Sequence, residues 1–166
     1  MKHLPIIFFV VLTTIFSFTA CSHKTTPPDL PKLYPCEITV IQDGKPLADV
    51  NVVLQATDKT VKYGYSSVST AANGIAVMRT YGETGVPAGV YKIILQKSVT
   101  EGEKESADVS GMKYKHGGTT FTLIDAKFTD VETTPLEIEI KNGKNIQTID
   151  VGNAVKIKQA ESILIP

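Results

Sequence analysis

The chain has 166 residues, with 17 Lys and Arg against 17 Asp and Glu, so its formal net charge at pH 7 is zero. This length holds a single domain with a core of ordinary size. Nucleic-acid binding needs a basic patch, and no stretch of this chain is strongly basic with interleaved aromatic residues, so no nucleic-acid partner is expected.

The first 20 residues have the pattern of a bacterial secretion signal. Lys2 gives a basic start, an apolar run extends from Leu4 to Phe18, and small residues precede Cys21. A membrane span needs roughly 20 apolar residues, and this run is shorter. The four residues that end in Cys21 resemble the lipobox of bacterial lipoproteins. That resemblance implies cleavage before Cys21, which then carries a diacylglycerol on its thiol.

The lipobox resemblance implies a place in the cell envelope. The three acyl chains of a processed lipoprotein exceed the two signals that stable membrane anchoring requires. Ser22 resembles the pattern of lipoproteins sorted to the outer membrane, and the residues that follow it lack the acidic cluster typical of surface export. We therefore expect an outer-membrane protein that faces the periplasm. Residues 21–35 are rich in proline and are expected to be an unpacked tether, with 36–166 as the folded domain.

Two cysteines are too few for a disulfide framework. Cys36 is predicted to be a buried small apolar residue at the start of the first strand, since free cysteine is among the most buried residue types. The alternative is a disulfide between Cys21 and Cys36 in a soluble secreted protein.

Short β-type runs separated by Gly and Asn turns make up the folded part, and no segment shows a sustained helical period. The predicted strands are 36–41, 51–56, 63–70, 75–81, 90–97, 119–124, 136–141 and 144–151, with a further short strand at 155–158. The run 90–97 is the most hydrophobic and is expected to be central. The run 75–81 alternates, with Ala76, Met78 and Thr80 on one face, but the sequence does not show which face is inward.

Three Asx-Gly pairs are predicted to be tight turns. Asp43-Gly44 follows the first strand, while Asn73-Gly74 and Asn142-Gly143 are each expected to close a hairpin between the runs on either side. Because the side-chain period of a strand is two, the apolar residues of the last hairpin share its inward face. These residues are Leu136, Ile138 and Ile140.

Residues 98–120 carry charge and glycine with little periodicity, and they are predicted to be a long loop that is either mobile or functional. The remaining strands and turns predict an all-β fold, an antiparallel β-sandwich of approximately seven strands.

Four segments in order, 43–52, 70–76, 87–93 and 134–145, resemble the carboxypeptidase-regulatory-like, transthyretin-like β-sandwiches of secreted bacterial proteins and lipoproteins. The second and fourth segments resemble hairpins of that family. The resemblance implies a transthyretin-like sandwich. It implies no activity, because such a fold hosts many functions.

No catalytic residue, cofactor site or metal site is predicted. Beyond the signal the histidines are His23 and His116, and neither has a partner at ligand spacing. The expected function is that of a non-enzymatic envelope lipoprotein with a binding or assembly role. The alternative is an envelope hydrolase or metal-dependent enzyme in which residues 98–120 form a lid and His116 contributes to the site.

Tyrosines give one candidate binding feature. Tyr63, Tyr65 and Tyr81, with Tyr91, could form an aromatic platform for carbohydrate or peptide, although strand tyrosines more often pack at the edge of a core. The polar run 63–70 is predicted to be an exposed or edge strand, which would allow a partner strand to add to the sheet.

Overall fold

The computed structural model describes residues 26–159, so the predicted signal 1–20 and Cys21 lie outside the described residues. Within 26–159, no helix is long and apolar enough to cross a membrane. In chain order the strands are β1 (Leu33–Tyr34), β2 (Cys36–Gln42), β3 (Lys45–Pro46), β4 (Asn51–Ala56), β5 (Tyr65–Ser69), β6 (Ile75–Val77), β7 (Arg79–Thr80), β8 (Glu83–Thr84), β9 (Val86–Pro87), β10 (Gly89–Gln96), β11 (Ser98–Glu101), β12 (Lys104–Ala107), β13 (Lys113–His116), β14 (Thr119–Thr122), β15 (Glu137–Ile140), β16 (Asn145–Asp150) and β17 (Ile157–Lys158).

Two four-stranded sheets form a β-sandwich, so the all-β prediction is confirmed. The first sheet has the order β15-β10-β4-β5 and is antiparallel throughout. In the second, β2 pairs with β16 along one side and with β3 and β6 along the other. The expectation of purely antiparallel sheets is wrong at one place, because β16 runs parallel to β2. The hydrophobic strand β10 lies inside the first sheet, as predicted.

The core lies between the facing sides of the two sheets, to which alternate residues of each strand point. Its largest fully buried side chains include Tyr91, Ile38, Leu54, Met78, Ile93 and Leu95. Each fully buried aliphatic side chain of this size stabilises the fold by about 1.5–3 kcal/mol.

Cys36 is a free cysteine with no exposed surface at the start of β2, which confirms the prediction of a buried small apolar residue. Burial raises the pKa of its thiol to about 12, since the thiolate would lose its hydration. This thiol is therefore neutral and inaccessible in the folded protein.

The turn at Asp43-Gly44 has the predicted form. Gln42 pairs with Lys45 across it, and both turn residues have positive φ, 51° and 71°. These values are typical of a type I′ turn, whose twist matches that of the two strands it joins.

The predicted hairpin at Asn142-Gly143 is wrong. β15 pairs with β10 in the first sheet, whereas β16 pairs with β2 in the second, so this segment crosses the sandwich. The side chain of Asn145 holds the crossing by donating to the carbonyls of Lys141 and Gly143 and accepting from the Lys141 N–H. An isolated hairpin is at best marginally stable. Because β15 and β16 lie in different sheets, each can pair with a long central strand instead.

The hairpin predicted at Asn73-Gly74 is wrong for the same reason. β5 pairs with β4, and β6 pairs with β2 in the other sheet. Gly74 has a φ of 74°, and its carbonyl accepts the N–H of Val40 at 2.9 Å. A Cβ at this position would lie 2.7 Å from the Val40 carbonyl oxygen, so the crossing depends on a close approach of two backbones.

The run 75–81 is divided between two strands, since β6 pairs with β2 and β7 with β8. Its predicted alternation is confirmed, and the structure decides which face is inward. Ala76, Met78 and Thr80 are buried, while Arg79 and Tyr81 are exposed.

Residues 98–120 are not a loop. β11 pairs with β14 and β12 with β13, which makes a long two-stranded arm, defined here as residues 98–122. Nearly every residue of β11, β12 and β13 is exposed, so no buried face imposes the alternation that would reveal strands in the sequence. The predicted strand near 155–158 is present as β17, which pairs with β14 at the base of the arm.

The described part of the predicted tether, 21–35, makes contacts with the sandwich. β1 pairs with β9, and the Asp29 carboxylate accepts hydrogen bonds from Tyr63 and Lys62. The Thr26 hydroxyl also donates to the Glu83 carboxylate at 3.4 Å, so contacts between the described part of the tether and the domain lie upstream of the predicted boundary at residue 36.

Candidate binding site

Three of the four tyrosines proposed for an aromatic platform come together at one edge of the sandwich. They line an open cleft of about 480 Å³, called the tyrosine cleft below. Tyr91 is not part of it, because this side chain is fully buried in the core and donates to the Pro87 carbonyl. The residues that line the cleft are Tyr63, Tyr65, Ser66, Ser67, Val68, Arg79, Tyr81 and Gly82.

Two of these tyrosines have an unusual backbone conformation. Tyr63 and Tyr81 have φ values of 58° and 51°, in a left-handed region that bulky residues rarely adopt. Their rings meet edge to face, with centroids 5.0 Å apart and an interplanar angle of 82°. Each such backbone costs about 1–3 kcal/mol and persists where the surrounding structure imposes it, most often at functional sites.

Tyr63 is held from the N-terminal side. Its hydroxyl donates to the Asp29 carboxylate at 2.5 Å, and Lys62 pairs with the other carboxylate oxygen at 3.0 Å. The hydrogen bond to Asp29 raises the pKa of Tyr63 to about 12, because the tyrosine proton is shared with an anion. Hydrogen bonds from Tyr63 and Lys62 in turn lower the pKa of Asp29.

Arg79 supplies the charge of the cleft. It is the only arginine in the chain, and it lies on β7, opposite β5. Its backbone is fixed by Ser66, whose hydroxyl donates to the Arg79 carbonyl at 2.7 Å and accepts the Arg79 N–H at 3.2 Å. Its guanidinium forms no ion pair with any residue in 26–159.

The other wall of the cleft is β5, which is an edge strand as predicted, because β4 is its only strand partner in the described chain. Tyr65 is 60% exposed, and Ser67 and Ser69 are exposed on the same face, whereas Ser66 and Val68 point toward the sandwich interior. Sequence alternation could place the tyrosine of β5, but it could not bring in Arg79, which lies on β7 in the separate two-stranded β7–β8 ladder.

Other sequence-predicted residues do not form a site. His116 is exposed on β13 and contacts the ring of Tyr114, and no group of three potential metal ligands occurs among residues 26–159. The arm is exposed from β11 to β13, and within the described chain no hydrogen bond, ion pair or ring contact joins it to the tyrosine cleft. Nothing in this arrangement supports the arm as a lid.

A second cleft of about 370 Å³ lies at the base of the arm, lined by polar residues that include Gln96, Lys97 and Gln159. The Lys97 ammonium already donates to the Ala48 carbonyl, and Gln159 donates to the Thr122 hydroxyl. With no aromatic side chain in its lining and with Lys97 and Gln159 already engaged, this cleft offers a ligand less than the tyrosine cleft does.

Among solved structures, the chain is similar to a variant of BcpA, the major pilin subunit of Bacillus cereus. The TM-score is 0.39 at 17% identity, and the match covers 73% of this chain and 30% of that one. A similarity at this level carries no inference about function. No protein-family model matches the chain, and no curated protein matches it significantly. The transthyretin-like family therefore stays a prediction.

Proposed function

We propose that this chain is a cell-envelope lipoprotein whose β-sandwich is a non-catalytic binding or assembly module, with the tyrosine cleft as its ligand site. The observation that carries the proposal is the cleft itself. The exposed rings of Tyr65 and Tyr81 and the half-buried ring of Tyr63 line it together with an arginine that has no ion pair within 26–159, and Tyr63 and Tyr81 have a strained backbone. Aromatic rings with few polar groups are the composition typical of a ligand site.

The proposed family is the transthyretin-like one, on the strength of the four sequence segments. Two of them lead into β4 and β10, the central strands of the first sheet. The other two contain the crossings at Asn73-Gly74 and Asn142-Gly143, where hairpins were expected. What supports the family is the order of the four segments in the sequence and the β-sandwich architecture, while the two hairpins that the resemblance implied are absent.

The anchor is proposed to be a lipid on Cys21 in the outer membrane, with the domain facing the periplasm. Asp29 follows Cys21 by eight residues, which is at most about 28 Å of extended chain. Because Asp29 bonds to Tyr63 in the cleft, an anchored Cys21 would keep the tyrosine cleft close to the membrane surface. A site in that position suits a partner that is also attached to the envelope.

Metabolic labelling with palmitate tests the anchor. The wild-type chain should incorporate label and shift to its unprocessed size with globomycin, and Cys21→Ala should abolish both effects. Labelling that persists in Cys21→Ala, or an unlabelled wild-type chain, would contradict the proposed anchor.

Binding through the cleft is tested with the detergent-solubilised full chain on glycan and peptide arrays. We expect a ligand whose binding is lost in Tyr65→Ala and retained in Tyr114→Ala. Tyr114 is a matched control because it is an exposed tyrosine, 50% accessible, on the arm and outside the cleft. A ligand that both variants bind as the wild type does would place the site elsewhere.

A further inference from the structure

We infer that the tyrosine cleft binds an extended peptide segment, which pairs with β5 as an added strand and places an acidic side chain against Arg79. This inference rests on the proposed function of the cleft as the ligand site and names the ligand class.

The first support is the direction of the backbone groups of β5. Gly64 accepts the N–H of Ala56, and Thr70 donates to the Val50 carbonyl, so the even-numbered residues between them face β4. Since hydrogen-bonding direction alternates along an antiparallel strand, Tyr65, Ser67 and Ser69 direct their N–H and C=O groups away from the sheet. Within 26–159, none of these outward groups has a hydrogen-bond partner.

The second support is that this edge lacks the protection found on another edge of the same sheet. β15, at the opposite side, carries Glu137 and Glu139 facing solvent, and charged residues of this kind prevent unwanted strand pairing. β5 consists of Tyr, Ser and Val only, with no charge, proline or bulge. Three outward-facing residues over about 13 Å give an added strand a ladder long enough to set its register.

The third support is charge and shape. The guanidinium of Arg79 lies across the cleft from β5, on a backbone that Ser66 holds in place. A planar guanidinium binds a carboxylate through two parallel hydrogen bonds, which makes an Asp or Glu side chain its best partner. The rings of Tyr65 and Tyr81, 60% and 59% exposed, offer apolar contact to the neighbouring side chains of such a segment.

The experiment selects peptides from a phage-displayed random nonapeptide library on the detergent-solubilised full chain and measures their affinities. We expect the selected peptides to be acidic. Ser67→Pro should bind them about tenfold more weakly, because proline removes an outward-facing N–H while the hydrogen bonds between β5 and β4 remain. Ser67→Ala keeps that N–H and measures what loss of the hydroxyl alone costs, so Ser67→Pro should bind acidic peptides more weakly than Ser67→Ala does. Arg79→Gln should weaken acidic peptides about tenfold and leave their Asn or Gln counterparts unchanged.

The outcomes distinguish failure of strand addition from failure of the proposed function of the cleft. Strand addition would be overturned if Ser67→Pro and Ser67→Ala bind the peptides with equal affinity, or if Arg79→Gln does not change the affinity for the selected peptides. Glycan binding that needs Tyr65, with no peptide selected, would also overturn it and leave the proposed function intact. If no ligand of any kind binds in a way that depends on the cleft residues, both strand addition and the proposed function of the cleft would be overturned. If urea unfolding shows that Ser67→Pro does not fold, the Ser69→Pro and Ser69→Ala pair gives the same comparison.

Discussion

The crossing at Gly74 gives the sharpest test of how the two sheets are joined. Gly74 and Gly44 have nearly the same φ, 74° and 71°, but only Gly74 lies against another backbone. A Cβ there would be 2.7 Å from the Val40 carbonyl oxygen and 3.1 Å from the Leu47 nitrogen, whereas a Cβ at Gly44 would meet nothing within 4 Å. Alanine at the two positions therefore isolates the close contact from the cost of the φ angle.

The magnitudes follow from these distances. A left-handed backbone costs an L-residue about 1–2 kcal/mol. Replacing glycine by alanine also lowers the conformational entropy of the unfolded chain, which offsets about 0.4–1 kcal/mol of that cost. We expect Gly44→Ala to lower the free energy of unfolding by about 1 kcal/mol. Gly74→Ala must also displace the β2 backbone by several tenths of an ångström, and overpacking of this kind adds about 1–3 kcal/mol.

Equilibrium urea unfolding, followed by circular dichroism, measures both losses. The prediction is that Gly74→Ala is less stable than Gly44→Ala by at least about 1 kcal/mol, with unchanged m-values. Equal losses in the two variants would show that residues 71–74 form an open hairpin turn and do not pack on β2.

Three further predictions concern the thiol, the N-terminal contact and the arm. The Cys36 thiol should resist a disulfide reagent such as DTNB at pH 8 and react fully in urea, and rapid native labelling would contradict its burial. Asp29→Asn should return the pKa of Tyr63 from about 12 toward its ordinary value of 10, as followed by NMR of labelled tyrosine Cζ, and no change would show that Asp29 is not its partner. The stabilisation from the Tyr63–Asp29 hydrogen bond should be full below pH 10 wherever Asp29 is ionised, and it should be lost as pH rises through 12. Replacing residues 102–118 with Asn-Gly, a turn that fits the Glu101–Thr119 pair, should change stability by less than about 1 kcal/mol, and a loss above about 3 kcal/mol would show that the arm packs on the sandwich.

Residues with a buried side could be predicted from the sequence. Period-two alternation marks Ile138 and Ile140 as inward, and both are buried. The same rule divides 75–81 into its two faces, although the sequence alone does not show that Met78 is inside. Local pattern is sufficient here because one face of each strand is fixed by the core.

Strand partners and the exposed arm could not be predicted in this way. Asn142-Gly143 has the sequence of a hairpin turn, yet β15 and β16 pair with different central strands, and that choice depends on residues distant in the chain. The arm has almost no buried face, so its strands leave no alternation to recognise. Only part of the tyrosine cleft could be predicted. Its tyrosines could be proposed from the sequence, but the approach of Arg79 to β5 depends on the crossing at Gly74.

The open edge of β5 beside the tyrosine cleft is the central claim, and native-state amide hydrogen exchange of the unliganded full chain tests it most directly. The N–H groups of Ser66 and Val68 face β4 and should be protected, while those of Tyr65, Ser67 and Ser69 should exchange at nearly the rate of an unstructured peptide. Uniform protection along β5 would contradict the claim, because it would mean that another strand already covers this edge.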